Sequence, residues 1–281
     1  MPDYGLIRTE GIRVSFTRDN VAPGALTSNH CHDCFEILYV TEGRGRYIIE
    51  GNEYEMQSGT LLVIRPFQYH YVEVDGAVPY ERYVIHFSTS QLPTSVQHLF
   101  APPDGGDLTC TFFTRDNIPE SVRVGFERFS IASELAGERR ELYLSMLLSE
   151  LLVLLSSARA VRPAPYNSEL GARVIRYLNE HIHSDVSLDR IARHFFVSKY
   201  YLCRAFKKHN GISIHGYITQ KRIMEAKVLI EAGESASGAA YRVGFGDYSA
   251  FYRAYIKVVG QPPVMSKSEK PERKENVVSD S

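Results

Sequence analysis

The sequence predicts a two-domain α+β chain: a β-rich N-terminal part with accessory helices, then an all-helical C-terminal part. Three observations predict it. The chain has 281 residues, the length of two ordinary domains. Its first hundred residues hold short Ile, Val, Tyr and Phe runs separated by glycine turns, and its second half matches itself at a fixed offset. Charge divides along the same line. Residues 1–165 carry 14 basic and 21 acidic side chains, residues 166–265 carry 14 and 8, and every lysine lies at or after Lys199. A net of −7 followed by +6 points to two modules with different partners, the second suited to nucleic acid.

In the first module the strand runs are Glu36–Val40, Gly45–Glu50, Thr60–Ile64 and Tyr80–Phe87. Glu42-Gly43, Gly51-Asn52, Ser58-Gly59 and Asp75-Gly76 separate them, as expected of a sandwich or small barrel. Pro102-Pro103-Asp104-Gly105-Gly106 ends the pattern. Two helices are expected between about Pro119 and Ala158. The second, roughly 138–157, carries Leu142, Met146, Leu147, Leu151, Val153, Leu154 and Leu155, more apolar surface than one face needs. It is read as a homodimer contact as well as a barrel cover. Pro163-Ala164-Pro165 reads as a linker. The boundaries are 1–160 for effector binding and dimerisation, 161–167 for the linker, 168–265 for the helical domain and 266–281 for a polar, disordered tail.

A shift of 49 residues lays Phe196 on Phe245, Arg204 on Arg253, Ala205 on Ala254, Lys208 on Lys257 and Gly211 on Gly260. Each copy is a helix with an apolar inner face, Leu202, Ala205, Phe206 or Phe251, Ala254, Tyr255, started by Ser198 or Asp247 as N-cap. A shorter helix precedes each, Ser187–Phe195 and Ser237–Val243. Helix, turn and a second helix with a basic and aromatic outer face is the helix-turn-helix plan: such a helix fits the major groove, arginine pairs with guanine, and lysines meet phosphates. The candidate DNA contacts are Lys199, Tyr200, Cys203, Arg204, Lys207 and Lys208, then Tyr248, Ser249, Tyr252, Arg253 and Lys257. Ile214–Glu231 reads as the connecting helix, ~27 Å long, a length that would set the two readers about one DNA turn apart.

With Ile191-Ala192, Ser198 through Lys208, Gly211-Ile212-Ser213, Tyr217-Ile218, Arg222, Ala226, Leu229, Val243-Gly244-Phe245 and Phe251–Lys257, the second half resembles the AraC-type transcription regulators over about 95 residues. The resemblance implies a double helix-turn-helix whose recognition helices enter the major groove of promoter DNA. Ala236 and Ala239, with Gly238 between them, stand where the family usually has isoleucines, and Ile256 stands where a lysine is usual. The second unit is therefore expected to be the weaker reader.

His30-Cys31-His32-Asp33-Cys34-Phe35-Glu36 would bring residues 30, 32, 34 and 36 to one side of a strand. With Gly24 before and Gly43 after, the segment resembles the first cupin motif. The second motif is partly present as Gly59, Arg65 in place of a proline, Phe67 in place of a glycine, and His70. The resemblance implies a cupin-like β-barrel. In metal-binding cupins, residues matching His30, His32, Glu36 and His70 hold one divalent ion, for which Zn, Ni, Fe or Mn suits the donor set. The favoured alternative is an organic effector, a sugar first, lined by His30, His32, Glu36, His70, Arg82 and His86, with Tyr39, Tyr47 or Tyr83 as the aromatic platform. A third possibility is that the histidines are structural. Cys31 and Cys34, three apart on a regular strand, would face opposite sides, against a disulfide.

The reading is a ligand-responsive DNA-binding transcription regulator, an activator by resemblance, working as a homodimer on double-stranded promoter DNA and on RNA polymerase. No catalytic residue is assigned, and no cofactor beyond the divalent ion. The alternative is a metal-dependent cupin enzyme or a metal-sensing regulator using His30, His32, Glu36 and His70; an enzyme has no use for the repeated basic helices. No run nears the ~18 apolar residues of a membrane span. The N-terminus lacks a signal-peptide pattern, and four cysteines make no disulfide framework, so a cytoplasmic protein is expected.

Overall fold

A computed structural model describes residues 6–19, 29–76, 78–97, 110–161, 170–184 and 186–263. Gly24, the Pro102–Gly106 break, the Pro163–Pro165 linker and the C-terminal tail lie outside the described residues. The chain forms two compact units, one of residues 1–181 with 186–217, the other of 182–185 with 218–281.

Among the described residues, nine strands form two antiparallel sheets. They are β1 (Leu6–Arg8), β2 (Ile12–Asp19), β3 (Phe35–Glu42), β4 (Arg44–Ile49), β5 (Asn52–Gln57), β6 (Leu61–Ile64), β7 (His70–Val74), β8 (Tyr80–Phe87) and β9 (Cys110–Phe113). The larger sheet runs β1-β2-β8-β3-β6-β9 and the smaller β5-β4-β7. Residues Phe35–Val40 are all buried because β3 is covered on both faces. One face of the large sheet meets the small sheet, around Leu38, Val40, Tyr47, Ile49, Tyr54, Met56, Leu62 and Ile64. The other, with Ile37, Tyr39, Val63, Tyr83 and Ile85, packs on helices. A bulge between Val40 and Glu42 shifts the β3–β8 register.

The strand expected through His30–Glu36 begins only at Phe35. His30 forms an isolated bridge to His70, residues 31 and 32 belong to no strand, and the chain bends at 33–34. Two-residue alternation therefore does not place His30, His32 and Glu36. At Phe67, where the cupin pattern has glycine, φ is +63°, a left-handed value that explains the usual glycine.

The covering helices are α1 (Thr94–Gln97), α2 (Glu120–Glu127), α3 (Ile131–Glu134) and α4 (Gly137–Ser156). Leu144, Leu147, Leu148, Leu151, Leu152 and Leu155 of α4 join the barrel-side core. Leu142 and Met146 (each 63% exposed) and Val153 (51%) stand on its outer side.

The helical half comprises α5 (Leu170–Glu180), α6 (Leu188–His194), α7 (Lys199–Asn210), α8 (Ile214–Glu231), α9 (Ala236–Arg242) and α10 (Tyr248–Val259). In the first unit α5 presents Val174, Ile175 and Leu178 to the core, with Ile191, Leu202, Phe206 and Tyr217 also buried. In the second, Ile223, Ala226 and Ile230 of α8 pack with Ala239, Ala240, Val243, Phe251 and Tyr255. Small Ala239 and Ala240 are fully used there, since Ser235 caps α9 by accepting from the Gly238 N–H.

Candidate functional site

The reading helix α7 is fixed at both ends. Ser198 Oγ accepts from the Tyr201 N–H (3.2 Å), and left-handed Gly211 donates to the Lys207 carbonyl. Leu202, Phe206 and Asn210 are buried along one stripe. Helical geometry turns Tyr200 (76% exposed), Arg204, Lys207 and Lys208 outward. Lys199 is drawn aside to Asp189 (3.0 Å), and Cys203 is half-buried. Exposed Tyr201 (56%) also belongs to this surface and was missed, because the 49-residue match gave it no polar counterpart: it falls on Ala250.

In the other unit, Asp247 caps α10 by accepting from the N–H groups of Ser249 (3.2 Å) and Ala250 (2.8 Å). Phe251 and Tyr255 are buried; Tyr248, Ser249, Tyr252, Arg253 and Lys257 are exposed. Ile256 is exposed in the place that Lys207 takes in α7.

The structure corrects one pairing in the repeat. α7 and α10 are related by 49 residues, but α6 and α9 by 48, so the second turn is one residue longer. Phe196 N bonds Arg193 O as Gly244 N bonds Tyr241 O, and Val197 N bonds Ala192 O as Phe245 N bonds Ala240 O. Phe196 (φ +56°) is thus the equivalent of Gly244 (φ +88°), not of Phe245. Phe245 packs on Phe251 at 5.4 Å between ring centres, while Phe196 is 95% exposed. Beside this turn, α5 and α6 border an open cleft of about 810 Å³ with Arg173, Arg176, Arg190 and Arg193. None of these forms an ion pair among the described residues, which makes the cleft electropositive.

Between the two sheets, four side chains converge on Glu36, which is 3% exposed. Glu36 Oε2 lies 2.9 Å from His32 Nε2, 3.0 Å from His86 Nε2 and 3.6 Å from His70 Nε2, and Oε1 accepts from the Tyr47 hydroxyl at 3.4 Å. The His30 ring stands 4.5 Å from that of His70. His32 Nδ1 donates to the Cys34 carbonyl (2.9 Å), and His70 Nδ1 to the Gln68 carbonyl (2.8 Å). Those bonds turn both Nε2 atoms toward the carboxylate. Burial opposes charge on His32, but its hydrogen bonds to Cys34 and Glu36, with the Glu36 charge, push it up to about 10. Burial likewise opposes ionisation of Glu36, yet hydrogen bonds from His32 and His86, with the His70 imidazole close by, hold it well below the usual carboxylate range.

The donor set fits a divalent metal ion. The ligand atoms within His30, His32 and His70, and within His32, Glu36 and His86, all lie within 4.8 Å of one another. His70 Nε2 is buried without a hydrogen-bond partner, and anchored Nδ1 atoms are the usual support of a ligating imidazole.

His30, His32, Glu36, His70 and His86 are therefore brought together, but Arg82 is not. It shares a face with His86, pairs with Asp19 (2.7 Å) and lies over the Tyr80 ring (4.2 Å). Of the three candidate platform tyrosines only Tyr47 stands at the cluster; Tyr39 and Tyr83 pack on Phe126 under the helices. Cys31 and Cys34 are not joined in a disulfide.

Two capped reading helices in a basic half, with a polar cluster between the sheets of the other half, define a ligand-responsive DNA-binding regulator. Residues 15–117 match the model of the AraC-like ligand binding domain, and residues 191–265 match a helix-turn-helix domain model. The chain belongs to the AraC-type transcription regulators. It is 25% identical over 231 residues to the HTH-type transcriptional activator RhaS of Enterobacter sp. (strain 638), covering 82% of this chain and 83% of that one. It is 27% identical over 224 residues to the HTH-type transcriptional regulator YbfI of Bacillus subtilis, covering 79% and 80%. Among solved structures, ToxT from Vibrio cholerae O395 aligns over 91% of this chain and 96% of its own at 13% identity, with a TM-score of 0.41. Among the described residues no helix is long and apolar enough to cross a membrane.

Proposed function

We propose that the chain is a transcription activator, dimeric through α4, whose barrel takes a divalent metal ion as effector or as the anchor of one. His32, His70, His86 and Glu36 would hold the ion, with His30 at the rim. The observation that carries the reading is the pair of Nδ1 bonds to the Cys34 and Gln68 carbonyls, which leaves two Nε2 atoms facing one carboxylate. A sugar, the other effector class the sequence suggests, would find Tyr47 beside the cluster and an interior otherwise filled by apolar side chains. Activator function follows from the likeness to RhaS, a transcriptional activator, and an activator would contact RNA polymerase. The dimer reading rests on exposed Leu142, Met146 and Val153 along one side of α4.

Elemental analysis of purified, untagged protein before and after chelation tests the effector reading. Near one Zn, Ni, Fe or Mn per chain, lost in His32→Ala, is expected. Metal-free protein that takes up none of these ions, yet still binds DNA, would refute it.

A further inference from the structure

The segments that carry the two cross-paired histidines also grip the first DNA-reading unit. His30 and His70 exchange backbone hydrogen bonds, of 3.2 Å from His30 N and 2.9 Å from His70 N. Asn29, the residue before His30, donates its side-chain amide to the Asn210 carbonyl. Tyr71, the residue after His70, donates its hydroxyl to the His209 carbonyl (3.0 Å). Both carbonyls belong to the last turn of α7, where a helix has no intrahelical donors left to satisfy them.

Tyr69, on the other side of His70, leads to a buried carboxylate. Glu50 N donates to Tyr69 O (2.8 Å), and Tyr69 N donates to Glu50 Oε1 (2.7 Å). Glu50 Oε2 accepts from the Asn179 side-chain amide of α5 (3.0 Å) and from the Tyr217 hydroxyl of α8. That hydroxyl is also 2.6 Å from Asn179 Oδ1, and the Tyr217 ring lies 4.8 Å from that of Tyr69 and 5.9 Å from that of Phe206. Glu50 is 5% exposed and Tyr217 fully buried. Glu50 also holds a left-handed φ of +48°, a conformation a non-glycine residue keeps only when its surroundings enforce it. A buried carboxylate tolerates loss of its donors poorly. This network is therefore made or broken as a whole, the behaviour a switch needs.

We infer that Glu50 is a positioning residue that couples occupancy of the His–Glu36 site to the first DNA-reading unit, through Tyr69 on one side and Tyr217 on the other. The inference rests on the reading of that cluster as the effector site and of α7 as a DNA reader. Coupling is reciprocal. A ligand at the cluster that shifts the 69–71 segment changes how α7 and α8 are held, and DNA on α7 must change the cluster segment by the same free energy. That reciprocity allows a test with DNA alone, whatever the effector is.

The experiment is hydrogen exchange on the full chain, with and without a duplex selected from random sequence by the wild-type protein. In wild type, DNA should change exchange of the amides in 67–74 by about fivefold or more. In Tyr217→Phe, which keeps the ring on Tyr69 and Phe206, and in Glu50→Gln, the duplex should still bind but the change should fall below about twofold. A DNA-induced change that persists in both variants, or that is missing in wild type bound to its duplex, overturns the inference and leaves the DNA reading intact. Failure of the selection to enrich any sequence overturns the DNA reading itself, and the inference with it.

Discussion

Arg222 allows a prediction to be worked from geometry. Its guanidinium donates three hydrogen bonds to backbone carbonyls: Nε to Ile182 (2.8 Å), one terminal nitrogen to Gly244 (2.7 Å) and the other to Ser184 (2.7 Å). One side chain thus ties α8 to the segment before α6 and to the α9–α10 turn. A Cβ at Gly244 would come within 3.0 Å of both the guanidinium carbon and the His183 carbonyl. Arg222→Met keeps the apolar stem and removes the three donors. Two of the bonds are partly buried and charge-assisted, worth about 1.5 kcal/mol each at the low end. The third is exposed and is discounted to near zero. The expected loss is about 3 kcal/mol, which is roughly a hundredfold faster opening at 1.4 kcal/mol per decade. Amide exchange within α9 and α10 reads it directly. Acceleration below about fivefold, or an equal acceleration in α6 and α7, would refute the clamp.

The other predictions concern reading, assembly and strain. Arg204→Ala should cost about 1–3 kcal/mol of affinity for the selected duplex without unfolding the chain, whereas Lys208→Ala should weaken all duplexes alike and reduce the salt slope by about one. Quantitative binding at several salt concentrations separates the two, and a flat log-affinity against log-salt plot would count against phosphate contacts. Met146→Glu should shift the chain from dimer to monomer in sedimentation, because it sets a charge in the middle of the exposed α4 stripe. An unchanged sedimentation coefficient would remove α4 from the dimer. Phe196→Gly should raise stability by about 0.5–1 kcal/mol, since it relieves a left-handed residue at the loss of almost no burial. Destabilisation of that size would mean that Phe196 packs against something in solution.

Much of the architecture was legible in the residues because its signals are local. Tyr80–Phe87 and Ile214–Glu231 have the predicted bounds, and Ser198 and Asp247 cap the helices they were assigned. Strands β1, β2, β5, β7 and β9 were not read. Ile12, Val14 and Phe16 of β2 do alternate, but Arg13 and Arg18 between and beside them dilute the pattern, and Asn52–Gln57 is half polar. The site was only half legible. Alternation along β8 correctly put Arg82 and His86 on one face, yet four residues of strand separate them by about 13 Å, so one ends at the cluster and the other at Asp19. His32 reaches Glu36 through the bend at 33–34, which no periodicity encodes. The Glu50–Asn179–Tyr217 contacts join residues up to 167 positions apart, beyond any local signal.

The account turns on whether the barrel cluster governs the reading helices. The most direct measurement is the affinity of the protein for its selected duplex with Zn(II) and after chelation, in wild type and in Glu36→Gln. A change of at least about fivefold in wild type, lost in Glu36→Gln while that variant still binds the duplex, is the predicted result. Equal affinities with and without the ion, in protein that demonstrably holds it, would contradict the account.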